Sequence, residues 1–307
     1  MKRTVIIIPA LLMSITLSGC SLLSNIFNTN GEPSFAKKGQ EVSKEEFLKE
    51  YDQTFHETDI YYDDVHTMPS FVFTINSNGN EKNTTQKKHL GKEVETTKTK
   101  GTVEYKYCVG ESVAESDIDI SYTTTKNTIY GDDKNTITLN EKMIQQASNN
   151  ILYQIDPEAR TYSEKEYPSN YTDSKIMDEV VGDQIYELFD VSNTFNGYDD
   201  TKYYINDRIF TIKLETTIND DLMYYGEKVG TKELKIDATY QINLKKDKYS
   251  IKTSEKATTH SEYFKDNYNF DAGDVFDGIS TNYATGNLKL KNVNLSQSPI
   301  NGYTKTN

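Results

Sequence analysis

The sequence lacks tryptophan and contains only two cysteines, six prolines and four histidines among its 307 residues. Tryptophan offers the largest aromatic surface of any side chain, so its absence weakens a carbohydrate-binding interpretation. Motifs for acyl transfer, phosphate binding and thiol redox chemistry (G-x-S-x-G, the P-loop and C-x-x-C) are also missing. His56-Glu57 begins like the zinc motif H-E-x-x-H, but Ile60 stands where the second histidine should be. The sequence therefore predicts a protein that is not an enzyme and that holds no cofactor.

Apolar residues make up 35% of the chain, and the 16 glycines bring this share to about 40%, below the roughly 45–50% usual for globular domains. Tyrosine (23) and phenylalanine (12) are plentiful, which predicts a folded chain with a tyrosine-lined core. Acidic residues outnumber basic residues by 47 to 34, so the formal charge is −13. This charge repels phosphate backbones and anionic lipid headgroups, which argues against nucleic-acid binding and against electrostatic membrane binding.

The N-terminus has the pattern of a signal peptide. Met1-Lys2-Arg3 precedes an apolar run over residues 5–17. A run of about 13 residues is shorter than the roughly 20 residues that cross a bilayer, but it fits the core of a signal peptide behind a positive start. The sequence thus predicts an exported protein.

The end of this run, Leu17-Ser18-Gly19-Cys20, resembles the lipobox of bacterial lipoproteins. The resemblance implies that signal peptide 1–19 is cleaved between Gly19 and Cys20. It also implies that Cys20 receives a diacylglyceryl group and becomes the acylated N-terminus, on the extracytoplasmic face of the cell membrane. The alternative is an ordinary secretory signal with a chance cysteine. One acyl chain binds membranes only reversibly, so a stable anchor needs two or more.

Only one cysteine would remain after lipidation of Cys20, so the resemblance implies that the mature chain forms no intramolecular disulfide. That residue, Cys108, ends an alternating pattern over 103–109 in which Val103, Tyr105 and Tyr107 share one face. We expect Cys108 to be a passive residue on the other face of this strand.

Residues 20–41 are predicted to form the lipidated cysteine and a flexible tether, because Asn, Gly and Pro interrupt any regular pattern. A capping box at Ser43–Glu46 then starts an amphipathic helix over 43–56. A second helix is predicted over 174–191, capped by Asp173 or Ser174, and a third, short one over 141–148. Residues 42–295 are predicted to form a single α+β domain, followed by a disordered tail over 296–307.

Period-two alternation predicts long strands between and after these helices. The longest pattern, over 234–244, corresponds to about 36 Å of strand and is followed by a polar turn. Pairing Ile242 with Ile251 would then place the apolar residues of both strands on one face. Asn78-Gly79 has the sequence of a turn, and a change of parity after Leu290 predicts a bulge near residues 291–292.

Acidic clusters were weighed as metal sites. His66 and three aspartates are close in sequence after the first helix (Asp59, Asp63 and Asp64), but their spacing matches no ligand motif and fits a solvated turn. Asp271, Asp274 and Asp277 are spaced by three residues, whereas an EF-hand places its ligands at every second residue. No metal site is predicted.

The order of lipobox, tether, helix, long strands, second helix and more strands resembles the layout of the LolA/LppX-like lipoprotein superfamily. That resemblance implies a long curved antiparallel sheet, an open half-barrel, packed on two or three helices. Members of the superfamily hold lipid or acyl chains in the concavity of the sheet. No family motif matches residue by residue, so the resemblance assigns no binding residue.

Two functions follow as expectations. The first is a membrane-anchored binding protein or carrier for an apolar or lipid ligand. Two helices of about 21–27 Å would leave part of a 36 Å apolar face uncovered, which predicts an apolar cavity beside the helix at 174–191. The second is a surface interaction or scaffold lipoprotein whose sheet is fully packed and has no ligand cavity. The sequence identifies no protein partner.

Overall fold

The computed structural model describes residues 33–63, 65–128 and 130–306. Within these ranges the chain forms one sheet of thirteen strands, two α-helices and a short 3-10 helix, so it is broadly α+β and dominated by strands. The helices are α1 (Lys44–His56), the 3-10 helix (Val109–Glu111) and α2 (Asp173–Phe189). The strands are β1 (Gln40–Val42), β2 (Phe71–Lys87), β3 (Gly91–Cys108), β4 (Val113–Thr128), β5 (Gly131–Ser148), β6 (Ile151–Asp156), β7 (Thr161–Glu166), β8 (Thr201–Asn206), β9 (Ile209–Tyr224), β10 (Glu227–Asn243), β11 (Ser250–Tyr263), β12 (Val275–Leu290) and β13 (Thr304–Lys305).

The sheet is open and its strands run in the order β1-β8-β9-β10-β11-β12-β2-β3-β4-β5-β6-β7-β13. Two meanders of consecutive antiparallel strands, β2–β7 and β8–β12, are joined where β12 pairs with β2. Only β13 is parallel to its neighbour, β7. The expected antiparallel sheet is therefore confirmed.

The two helices pack on the same face of this sheet, which we call the helix face; the opposite face is the back face. The rings of Phe47 and Tyr51 of α1 contact Phe210 of β9 at centroid distances of 5.5 and 5.1 Å. The ring of Phe189 of α2 lies 6.4 Å from that of Phe73 on β2. Each meander is thus covered by one helix.

Local capping explains where the helices begin. The Ser43 side chain accepts a hydrogen bond from the Glu46 amide at 3.1 Å, which confirms the predicted start of α1. For α2 the cap is Thr172, whose hydroxyl accepts from the Lys175 amide at 3.2 Å, rather than Asp173 or Ser174. The second helix begins one residue earlier and ends two residues earlier than predicted.

The predicted hairpin of β10 and β11 is confirmed with its register. Ile242 lies opposite Ile251, and both are fully buried on the helix face. β10 extends beyond the predicted 234–244 at its N-terminal end and begins at Glu227. Most of the added residues are polar or charged, so they do not follow the apolar alternation that marks the rest of the strand.

Three local predictions are wrong, the first two because strand pairing overrides the local pattern. Asn78-Gly79 is not a turn: Gly79 lies in the middle of β2, opposite Thr99 and Asn282. Residues 141–148 are not a helix but the end of β5. No bulge is needed near 291–292, because β12 ends at Leu290 and the residues after it are outside the strand.

The predicted disorder of the C-terminal tail is also wrong. Tyr303 and two other apolar side chains after β12 (Leu295 and Ile300) pack against a small back-face core of Val113, Ile144 and Ile155. The Gln146 side chain accepts from the Ser298 amide at 2.7 Å and donates to the Ser298 carbonyl at 2.9 Å. Residues up to 306 are held because they cover apolar side chains that the helices do not reach.

The last residues of the predicted tether lie on the back face. Gln241 accepts from the Ala36 amide at 2.9 Å and donates to the Ala36 carbonyl at 3.2 Å. Lys252 donates to the Ser34 carbonyl at 2.6 Å, and β1 pairs with β8. Residues 34–41 of the predicted tether are therefore part of the folded body, and residues 20–32 lie outside the described residues.

We predict that Ile242→Asp lowers the free energy of unfolding by several kcal/mol, because it places an unpaired carboxylate in the fully buried helix face. Thr239→Asp, in the same strand but on the back face, should cost less than about 1 kcal/mol because Thr239 is only half-buried and lies opposite Lys213. Urea unfolding of both variants measures the difference. Equal losses of stability would contradict the assignment of the two faces.

Candidate functional site

The predicted lipidation residue, Cys20, and the cleavage position at Gly19 lie outside the described residues. The other cysteine, Cys108, is described and is buried and free at the end of β3. None of the helices in the described ranges is both long and apolar enough to cross a membrane.

The helix face is filled where the helices cover it. Val181 and Ile185, in the middle of α2, are completely buried, as is Met177 one turn earlier. Phe47 of α1 is completely buried as well. The helix side chains occupy the space against the sheet, so the region beside α2 where a cavity was predicted is packed core.

Buried polar contacts fix α2 to the sheet. The Tyr107 hydroxyl of β3 donates to Asp178 Oδ1 at 2.6 Å, and Ser174 donates to Asp178 Oδ2 at 3.4 Å. Burial raises the pKa of the Asp178 carboxyl above its usual range. Further along α2, Gln184 donates to the Gln145 side chain of β5 at 3.0 Å. Apart from Gln184 Oε1, which has no hydrogen-bond partner among the described residues, these groups are paired within the fold, which is typical of a structural network.

Beyond the helices the eight long strands continue as a second region, which we call the distal sheet. It consists of residues 79–87, 91–99, 121–128, 131–141, 215–224, 227–237, 255–263 and 275–282. Its helix face is mostly polar and half-buried, with residues such as Glu81, Asn83, Thr124, Ser280 and Thr259. The part of the sheet that the two helices leave uncovered is thus mostly polar, with a few partly exposed apolar side chains.

A concavity of about 510 Å³ lies at the β9 side of the distal sheet. It is lined by Asp200, Glu215, Thr216, Thr217, Lys235, Ile236, Asp237, Lys256 and Thr258. The Thr216 hydroxyl donates to Asp200 at 2.7 Å, which ties the segment after α2 to this side of the sheet. Three carboxylates and two ammonium groups at one opening suit a polar or charged partner better than an acyl chain.

Glu255 of β11 is an unusual group at the border between the core and the distal sheet. It lies on the helix face between Ala238 and Asn282, and burial raises its carboxyl pKa to about 7. Within the described ranges the buried hydroxyls of Thr253 and Thr99 on the same face have no hydrogen-bond partner. This border therefore contains buried polar side chains that lack the hydrogen bonds such groups usually make.

The acidic clusters have structural roles. The Asp63 carboxylate lies 3.2 Å from His66 Nδ1, and Asp59 pairs with Lys246 at 3.1 Å; Asp64 is outside the described residues. Asp274 accepts from the Lys88 amide at 2.8 Å and from the Asp271 amide at 3.0 Å. No group of three potential metal ligands occurs in the part of the chain that the structure describes.

Sequence reasoning missed both the concavity and Glu255. The concavity depends on residues from three strands and from the segment after α2, which no sequence pattern brings together. Glu255 did have a signal, because it continues the alternation of Ile251 and Thr253 and so falls on the apolar side of the predicted hairpin. A carboxylate on such a face is a marker of a perturbed pKa.

We predict that Glu255→Gln raises the free energy of unfolding by about 3 kcal/mol at pH 8. The folded pKa of about 7 exceeds the usual value of 4.5, so the unfolded chain ionises first and stability falls between these two pH values. The variant should be about as stable as the native chain at pH 4, because the Glu255 carboxyl is then mostly neutral in both the folded and the unfolded chain. Urea unfolding at pH 4 and pH 8 tests this, and an equal effect at the two values would refute the raised pKa.

No protein-family model matches this chain, and no curated protein matches it. Among solved structures, lipovitellin, studied for its lipid–protein interactions, is 11% identical, with a TM-score of 0.30. The match covers 78% of this chain and 27% of lipovitellin, so this chain spans about a quarter of that protein.

Two further solved structures are matched at lower TM-scores. OccK7 of Pseudomonas aeruginosa is 6% identical, and the match covers 71% of this chain and 98% of OccK7 at a TM-score of 0.24. A LolA superfamily protein of Nitrosomonas europaea is 9% identical, with 80% and 94% of the two chains covered and a TM-score of 0.17. At these values the similarities assign this chain neither a family nor a function.

Proposed function

We propose that this protein is a membrane-anchored, extracytoplasmic lipoprotein that acts as a surface interaction or scaffold protein through its distal sheet. The single observation that carries the second part of this proposal is the contrast between the two halves of the sheet. The helix-covered half is a filled core, whereas the distal half is a polar surface that neither helix covers.

The anchor in this proposal is the lipid on Cys20. After signal cleavage the formal charge becomes −15, because Lys2 and Arg3 leave with the signal peptide. An anionic bilayer would repel such a chain, so the acyl chains supply the whole attachment. The contacts of Ser34 and Ala36 on the back face support a short tether of residues 20–33 between the membrane and the folded body. The membrane is thus one proposed partner, and nucleic acid is not.

The distal sheet suits a protein partner. It offers long ladders of backbone pairs and charges of both signs on its back face; Lys82, Lys98 and Asp237 are all exposed there. Contacts of this kind give specificity and register to a protein interface. The concavity at its β9 side adds a concave feature next to this surface.

A carrier of an apolar or lipid ligand is the second candidate. The observation that favours it is a strip of partly exposed apolar side chains on the helix face of the distal sheet, Ile218, Leu234 and Ile236. Ile236 also lines the concavity. An open half-barrel with an apolar ligand against this strip would match the function that the LolA/LppX-like layout implies.

We predict that the full-length protein, expressed in a bacterial host, partitions with membranes and that Cys20→Ala moves it into the aqueous phase. The physical reason is that the lipid is the only attractive term for this acidic chain. Detergent phase separation and fractionation measure the distribution. If the native chain enters the aqueous phase as readily as the variant, the anchor is refuted.

We also predict that a photo-reactive amino acid at Lys82, on the back face of the distal sheet, cross-links to protein partners in cells. The same amino acid at Lys49, an exposed position on α1, is the matched control and should cross-link much less. Equal cross-linking at both positions would contradict an interaction surface on the distal sheet. Native mass spectrometry of the same preparation tests the carrier: a retained lipid in addition to the anchor would favour it.

A further inference from the structure

Among the residues that the structure describes, two strand edges of the distal sheet pair on one side only. β8 pairs with β9 only as far as Leu214, opposite Thr201, so residues 215–224 have β10 as their one neighbour. β6 pairs with β5 only from Ile144 onward, so residues 131–143 have β4 as their one neighbour. Residues 131–140 are all exposed. Each edge therefore presents a row of unpaired backbone groups, which is a template for another strand.

The register tells which backbone groups point outward. The Leu244 amide donates to the Arg208 carbonyl directly opposite, so the even-numbered residues of β9 bond to β10. The odd-numbered residues at 215, 217, 219 and 221 are left pointing to the free edge. On the other side the Ala147 amide donates to the Ser112 carbonyl, so the even-numbered residues at 132, 134, 136, 138 and 140 of β5 point outward.

The strand order makes these two edges complementary. β9 and β5 are the first and the last of eight consecutive antiparallel strands in the distal sheet. Because eight is an even number, β5 runs opposite to β9. The β5 edge of one molecule placed beside the β9 edge of another thus continues the antiparallel order, with the helix faces of both molecules on the same side.

One register matches the side chains as well as the backbone groups. It sets Ile137 opposite Ile218 on the helix face and Lys134 opposite Asp221 on the back face, and it places no like charges opposite each other. A shift of two residues in one direction sets Asp132 against Asp221. The shift in the other direction sets Ile137 against an aspartate, Asp220.

From these observations we infer that a second copy of this chain is the partner of the distal sheet, held by antiparallel pairing of residues 132–140 of one copy with residues 215–223 of the next. This inference rests on the proposed scaffold function and names one partner for it. The contact is heterologous, so each added copy exposes a new free edge and the assembly grows as an open row. The net charge of −13 opposes association, and salt screens this repulsion.

The test is a pair of cysteines, Ile137→Cys with Ile218→Cys, in the full chain. In the inferred register these residues form a non-hydrogen-bonded pair with Cα atoms about 4.5 Å apart, which a disulfide can bridge. Mild oxidation should give a ladder of covalent oligomers on a non-reducing gel, and the yield should rise with salt. There are two matched controls. The first is each single variant alone. The second is the pair Leu139→Cys with Ile218→Cys, which is out of register by two residues.

Two outcomes of the cysteine experiment overturn the inference. A cross-linked monomer would mean that the two edges close within one chain, and a yield no higher than in the controls would mean that the edges do not pair. Thr138→Pro gives a second measurement, because the Thr138 amide points outward and its loss leaves the pairing with β4 intact. We expect this variant to keep its circular dichroism spectrum and to lower the association constant at least tenfold.

An unchanged association constant for Thr138→Pro would also contradict the inference. The proposed interaction function would survive such a failure if the photo-reactive residue at Lys82 still captured other proteins. It would fail separately if Lys82 and the Lys49 control cross-linked equally.

Discussion

On the helix face, a contact between the C-terminal ends of the two helices joins the two halves of the fold over the strand pair β12 and β2. The Tyr51 hydroxyl donates to the Phe189 carbonyl, and the rings of Phe55 and Phe189 stack with centroids 6.1 Å apart. α1 covers the meander of β8–β12, and α2 covers that of β2–β7. Because Phe189 also contacts Phe73 on β2, this aromatic cluster joins both helices to the strand where the two meanders meet.

The length of sheet that these two helices cover determines which strand residues are apolar and which are polar. Where they lie on it, the apolar side chains of the strands are almost fully buried. Where they end, threonine, asparagine, serine and glutamate predominate on the helix face, and only a few apolar side chains such as Ile218, Leu234 and Ile236 remain there, partly exposed. A region without a second layer is stabilised by backbone ladders and cross-strand pairs. The predominance of polar side chains in this region is the reason why we propose an interaction function over a carrier.

The border between the two regions carries the polar groups that the fold satisfies least. Thr99, Thr253 and Glu255 lie on the helix face next to the last apolar rows of the core. By contrast, Asp178 under α2 has the Tyr107 hydroxyl as a partner. Burial raises the pKa of the Glu255 carboxyl to about 7. The free energy of unfolding is therefore expected to fall as the pH rises from about 4.5 to about 7.

The sequence by itself determined the features that depend on short-range chemistry. The capping of α1 by Ser43 and the pairing of Ile242 with Ile251 follow from side-chain spacing, and both are confirmed. The lipobox at Cys20 is likewise a local pattern, and it stays a prediction because it lies outside the described residues.

Tertiary structure decided everything that depends on neighbours distant in the chain. Asn78-Gly79 is a turn by its residues but a strand because β3 and β12 pair on both sides of it. Other features have no periodic pattern in the sequence that would predict them. These are the polar ends of the long strands, the ordered residues 296–306 and the two free edges. In a single layer both faces meet water, and only the pairing of strands across the whole sheet fixes which residues lie together.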